Sequence, residues 1–242
     1  MADITYCIKT CNKFKDTRLK ACLETWAKDV DPFILGDATE LDVLEGHDNL
    51  TKKLRRYFLC NPFTPGNFLM LVDDDTYVNV PALKEFVSTL DPWLARSYGR
   101  GIMPTQQFVK YSRPGPAVGI QPKLSCNQTC SGVLISYPMI QAIQMVCWMK
   151  RDPDFIFADD QWLSATIGTA KHLSAVHFGK PIYREVSAPD KFLAKSTKQG
   201  NELIASGSAF SLSCETEERM RLVHDMFLTH QSSKETVTTG QE

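Results

Sequence analysis

The sequence predicts an α/β fold, a single domain whose mostly parallel central sheet is flanked by helices. Strand-like and helix-like segments alternate through much of the chain, as they do when helices cover a parallel sheet. The run Phe68–Val72 discharges straight into Asp73, Asp74 and Asp75, and the carboxyl end of a strand is where open α/β sheets bind ligands. A chain of 242 residues, 43% of them hydrophobic, can bury about three quarters of its unfolded surface in one core.

Ile4–Ile8 reads as the first strand. Asp16 is placed to cap the next segment, in which Leu19, Cys22, Leu23 and Trp26 form the stripe of a half-buried helix. Pro32–Leu35 makes a second strand ending at Gly36-Asp37, Leu50–Leu59 a helix rich in Lys and Arg, and Phe68–Val72 the third strand. Pro81 opens a helix carrying Leu83, Phe86, Val87 and Leu90. Arg100–Lys123 is rich in Gly and Pro with little periodicity, which predicts an ordered surface loop over the sheet. Ser131–Ser136 resumes a strand, and Pro138 starts a helix with Ile140, Ile143 and Cys147. Phe155–Ala158 then runs into a second acid cluster, Asp159-Asp160, ahead of a helix marked by Trp162, Leu163, Thr166 and Ile167. The domain is expected over residues 1–230, with a disordered polar tail over 231–242.

Lys and Arg total 27 against 28 Asp and Glu, a net charge of −1, and no long basic run occurs. That balance argues against a nucleic-acid partner. No apolar run approaches a membrane span, and Met1–Cys7 lacks a signal-type core, so the chain reads as soluble. Of eight cysteines, Cys7 and Cys22 fall in apolar patterns as buried thiols, while Cys126 and Cys130 bracket a short polar turn as a local pair. Asn49-Leu50-Thr51 and Asn127-Gln128-Thr129 fit the N-glycosylation pattern, which matters only in the secretory pathway.

Three like charges at the end of a buried strand repel one another and call for a cation. A helix cap would use one acid, not three. A hard divalent ion carrying a diphosphate satisfies them, because Mg²⁺ or Mn²⁺ needs only one or two protein carboxylates once phosphate oxygens fill the other positions. This points to an enzyme acting on a nucleotide sugar.

The acid clusters belong to a longer series of blocks. Cys7-Ile8-Lys9-Thr10, Arg18-Leu19 and Glu24-Thr25-Trp26 resemble the opening "VKT…RL…ETW" run of the Fringe-like β-1,3-glycosyltransferases, the family containing Fringe, core-1 galactosyltransferase and the β-1,3-N-acetylglucosaminyltransferases. Ile34–Asp37 is similar to that family's second strand, Leu71–Val78 to its metal motif and Tyr98-Gly99 to its Tyr-x-Gly element. Ser131–Ser136 is similar to its "AGFxIS" block, and Phe157–Asp160 through Thr166-Ile167-Gly168 to its "PDDVTIG". The order is the family's over residues 4–168, although Cys126–Cys130 replaces the Gly-rich stretch expected before "AGF".

The resemblance implies a GT-A fold and inverting transfer of a hexose or N-acetylhexosamine from a UDP-sugar to a hydroxyl of a glycan or glycoprotein, in β-1,3 linkage, with Mn²⁺ or Mg²⁺ as cofactor. It implies Asp75 as direct metal ligand, Asp73 and Asp74 as helpers on the metal and diphosphate, and Asp160 as the base that deprotonates the acceptor, with Asp159 the alternative helix cap. Thr10, Arg18, Asp37 and Lys53 are carried over as nucleotide contacts, and His177, ahead of His172 and His224, is the first candidate for a further metal ligand. It places the protein in the Golgi lumen if an N-terminal anchor has been removed; otherwise the chain reads as cytoplasmic. Two rival readings remain: a haloacid-dehalogenase-type phosphatase with Asp73 as nucleophile, Asp75 as acid/base and Asp159-Asp160 on magnesium, and a non-catalytic sugar-binding protein on the same fold.

Overall fold

The computed structural model describes residues 2–36, 49–102, 126–149, 159–178, 183–193 and 196–239. Strands β1 (Ile4–Lys9), β2 (Phe33–Leu35) and β3 (Phe68–Asp73) run parallel, with β1 between the other two. A short β4 (Thr76–Val78) follows. β5 (Arg96–Ile102) and β6 (Cys126–Ser136) pair antiparallel, β6 also pairs antiparallel with β3, and β7 (Arg184–Ser187) joins β5 in parallel. The main sheet thus has the order β2-β1-β3-β6-β5-β7, with β6 alone opposing the rest. β4 lies instead in a second sheet, antiparallel to β9 (Ser211–Ser213), which runs parallel to β8 (Phe192–Leu193).

The helices are α1 (Lys20–Glu24), α2 (Leu50–Cys60), α3 (Val80–Ser88), α4 (Tyr137–Met149), α5 (Asp159–Phe178), α6 (Lys198–Ala205) and α7 (Glu217–Thr239). Side chains alternate across a strand, and β3 shows the consequence. Phe68, Met70 and Val72 join a core with Cys22, Trp26, Leu83, Phe210 and Val223, while Leu69 and Leu71 join one with Leu54, Phe58, Ile140, Ile143, Trp162 and Leu163. The sheet is therefore buried on both faces, which explains the unbroken apolar run of β3.

Gly132 occupies a tight place beside β3. Its φ is +83°, and a Cβ there would lie 2.6 Å from Met70 Cε and 3.3 Å from Val72 Cγ1. Only glycine meets both demands at low cost.

Several expectations change. Asp16 does not cap a regular helix: the segment opens as a 3₁₀ turn at Asn12–Phe14 and a π-helical turn at Lys15–Leu19, and α1 proper is five residues long. Leu23 is exposed, whereas Trp26, past the helix end, is buried against Tyr6. Tertiary packing, not the stripe, fixes this segment. Arg100–Ile102 belong to β5, and the rest of the Gly/Pro-rich stretch lies outside the described residues.

Cys126–Cys130 is not a turn but the first part of β6, in which Cys126, Asn127 and Gln128 are in register with Ile102, Gly101 and Arg100; the side chains of Cys126 and Cys130 lie outside the description. α7 continues to Thr239, taking in most of the polar end read as unstructured. Among the described residues no helix is long and apolar enough to cross a membrane.

Candidate active site

The acid triplet is the junction of the two sheets. β3 ends at Asp73, Asp74 and Asp75 turn, and β4 starts at Thr76. The turn is fixed from the C-terminal part of the chain, where the Cys214 amide donates to the Asp75 carbonyl at 2.7 Å. Asn79, by contrast, caps α3: its side chain accepts from the Ala82 amide at 3.1 Å. The cap is thus supplied without any of the three acids.

The pleat decides which partners the acids meet. Lys9 and Asp73 are register partners on β1 and β3 and follow Cys7 and Leu71, which face the core beneath α2, α4 and α5. On that face α5 begins with Asp159. Lys9 Nζ lies 2.6 Å from Asp73 Oδ1 and also donates to Asp159 Oδ2, with Lys9 and Asp159 both buried. Burial works against the Lys9 charge, but the Asp159 and Asp73 carboxylates outweigh it and raise the pKa. Burial pushes the Asp73 carboxyl up, and Lys9 pulls it back.

Thr10 donates from its hydroxyl to Asp74 Oδ2 at 2.7 Å. Gly36 makes room for Thr10, since a Cβ on Gly36 would meet Thr10 Cγ2 at 3.3 Å. The Cys22 thiol donates to the Asp74 carbonyl at 3.1 Å. Arg18, carried by the π-helical turn, has Nη1 at 3.5 Å from Asp75 Oδ2 and 3.8 Å from Asp74 Oδ1, and its guanidinium lies 4.3 Å from the Phe14 ring centroid. π-turns of this kind recur at functional sites.

Asp75 is the least satisfied member. Its Oδ1 is buried without a hydrogen-bond partner among the described residues. Burial, reinforced by the Asp73 charge and opposed by Arg18, pushes its carboxyl up to about 6. Burial likewise pushes Asp74 up to about 6 against the Thr10 hydrogen bond. An orphaned buried acceptor among costly negative charges fits a cation. No group of three or more His, Cys, Asp or Glu side chains among the described residues forms a ready cage. The donors therefore suit a hard ion that takes one or two carboxylates and completes its shell with phosphate and water.

A match to the Fringe-like family model over residues 1–167 decides the lineage. The chain belongs to the Fringe-like family. It is accordingly a glycosyltransferase of that family, which leaves the phosphatase reading without support, and the family implies a sugar donor and an acceptor. A solved structure of a glycosyltransferase involved in the glycosylation of the major capsid of PBCV-1 is similar over 90% of this chain and 98% of its own, at 12% identity and a TM-score of 0.41. No curated protein matches the chain. The family match ends inside α5, so the second sheet's β8 and β9, with α6 and α7, lie beyond it.

Thr10, Arg18, Asp73, Asp74 and Asp75 come together at one strand end. Lys53 is buried on α2, where burial lowers its pKa against a weaker opposite pull from Cys11, the residue after Thr10. Asp37 lies outside the described residues. Asp160 stands in the first turn of α5 and His172 and His177 further along it, but their side chains lie outside the description. His224 is engaged elsewhere, its Nδ1 3.1 Å from the Tyr77 hydroxyl. The residue that the sequence reading passed over is Lys9, and its signal was a charged residue on the inward parity of an apolar strand. Asp159, read as a cap, has its carboxylate in the ion pair with Lys9.

Proposed function

We propose that this chain is an inverting, metal-dependent transferase that moves a hexose or N-acetylhexosamine from a UDP-sugar to a hydroxyl of a glycan or glycoprotein acceptor, in β-1,3 linkage. The observation that carries this reading is the buried Oδ1 of Asp75, without a partner among the described residues, in an acidic turn at the end of β3 in a chain of the Fringe-like family. Asp75 would hold the Mn²⁺ or Mg²⁺, with Asp73 and Asp74 assisting directly or through water and His177 as candidate further ligand. The ion would supply Lewis-acid neutralisation of the charge that builds on the departing diphosphate.

The chain's own groups do the rest. Arg18 stands at the edge of the triplet with its guanidinium held over Phe14, where it can turn to a phosphate oxygen; Thr10, Lys53 and Asp37 complete the nucleotide contacts. Asp160 takes the proton from the acceptor hydroxyl as that oxygen bonds to the sugar's anomeric carbon, on the face opposite the leaving UDP. Family membership also supports a secretory compartment, and the Golgi lumen is the proposed location.

The test is turnover of a panel of UDP-sugars with Mn²⁺ and simple glycan acceptors, followed by Asp160→Asn. That variant should keep donor binding and lose about 10²–10⁴-fold in transfer rate, the usual contribution of a positioned base. Nucleotide binding without turnover of any donor would favour the sugar-binding reading.

A further inference from the structure

Among the described residues, Lys9 is the one charged side chain that joins the two acid clusters. Its ammonium touches Asp73, the last residue of β3, and Asp159, the first residue of α5. On its far side α5 is held by packing: Trp162, Leu163 and Ile167 sit in the core beneath α4 and the sheet. Apolar packing fixes the distance of a helix from a sheet more firmly than it fixes the position of the helix end along the strands. A buried, doubly paired ammonium is directional, and removing it leaves the Asp73 and Asp159 carboxylates facing each other without the cation between them.

We propose that Lys9 is a positioning residue that pins the first turn of α5 to the carboxyl end of β3, and so sets the place of Asp160 relative to the donor held at Asp73–Asp75. The inference rests on the reading of Asp160 as base, but the pin itself is a property of the fold. Asp159 is then the helix's anchor point and Asp160, next to it, the group being aimed. This also gives Asp159 a task distinct from the one proposed for Asp160: its carboxylate is paired with Lys9.

The experiment compares wild type with Lys9→Met, Lys9→Arg and the double variant Lys9→Met/Asp159→Asn. Amide hydrogen exchange is followed at Leu163, Ser164 and Ala165, whose helical bonds reach back to residues 159–161. Steady-state kinetics use UDP-sugar and Mn²⁺. In Lys9→Met, exchange at those amides should quicken about tenfold or more relative to α2, and kcat should fall at least about tenfold with donor KM within about threefold. Lys9→Arg should recover part of both.

The double variant removes one of the two facing carboxylate charges, so it should regain melting temperature while kcat stays low. It also serves if Lys9→Met does not fold. Recovery of kcat together with melting temperature would show that Lys9 only offsets charge, and unchanged exchange in the variants would remove the pin; either result overturns the proposal. A wild type that turns over no UDP-sugar would instead defeat the proposed function, with the exchange arm still deciding the pin.

Discussion

The Arg18 guanidinium stands 3.5 Å from Oδ2 of Asp75, the carboxylate whose other oxygen is buried without a partner among the described residues. An arginine in that place offsets part of the triplet's charge, and it competes with any cation for the same acid. Arg18→Ala should therefore tighten binding of Mn²⁺ alone by about threefold to tenfold, yet weaken binding of UDP in the presence of Mn²⁺ by a similar factor. Manganese titrations followed by electron paramagnetic resonance, with and without UDP, read both. Weaker binding of the free ion by the variant would place Arg18 outside this competition.

The pH dependence of stability follows from Asp75. Its folded carboxyl is raised from its ordinary 3.8 to about 6, so between those values the native state holds a proton that the unfolded chain has lost. Stability contributed by this group rises as pH falls through that window, and the penalty is complete above it. Asp75→Asn should stabilise the metal-free protein at pH 7.5, and the gain should shrink by pH 4.5. Paired urea titrations test this; a gain that grows on acidification would reverse the sign.

Gly132→Ala should lower stability by about 1–3 kcal/mol, because it forces a side chain into left-handed backbone and against Met70 Cε at 2.6 Å. Met70 and Val72 lie on the strand that ends in the acids, so UDP binding should weaken as well. Chemical denaturation and calorimetry on one preparation provide both numbers, and a variant of wild-type stability would contradict the packing argument.

Trp26→Ala should cost about 3–5 kcal/mol through the cavity it leaves. The ring is buried and lies 6.0 Å, centroid to centroid, from Tyr6. Thermal unfolding checks it. An unchanged melting temperature with lost transfer would assign Trp26 to substrate instead.

How far the sequence was legible depended on the range of the signal. β1, β3 and α2 were readable because period and composition are local, and the triplet because three adjacent acids are conspicuous in any chain. The π-helical turn under Arg18 was not, since its apolar positions fit an ordinary helix and tertiary contacts choose the wider turn. Lys9 stands in a family motif with no task visible from sequence, because its partners lie 64 and 150 residues away. Sequence spacing carries no trace of such a pairing. The Cys214 amide, which steadies Asp75 from the far end of the chain, is hidden for the same reason.

The central claim is that the Asp73–Asp75 turn holds a divalent ion that in turn holds the donor's diphosphate. Calorimetric titration of UDP into the wild-type protein with Mn²⁺, repeated after EDTA and on Asp75→Ala, tests it most directly. The account predicts at least about tenfold weaker binding after EDTA, and equally weak binding by a folded Asp75→Ala whether or not Mn²⁺ is present. UDP affinity that is the same with Mn²⁺ and with EDTA would contradict it.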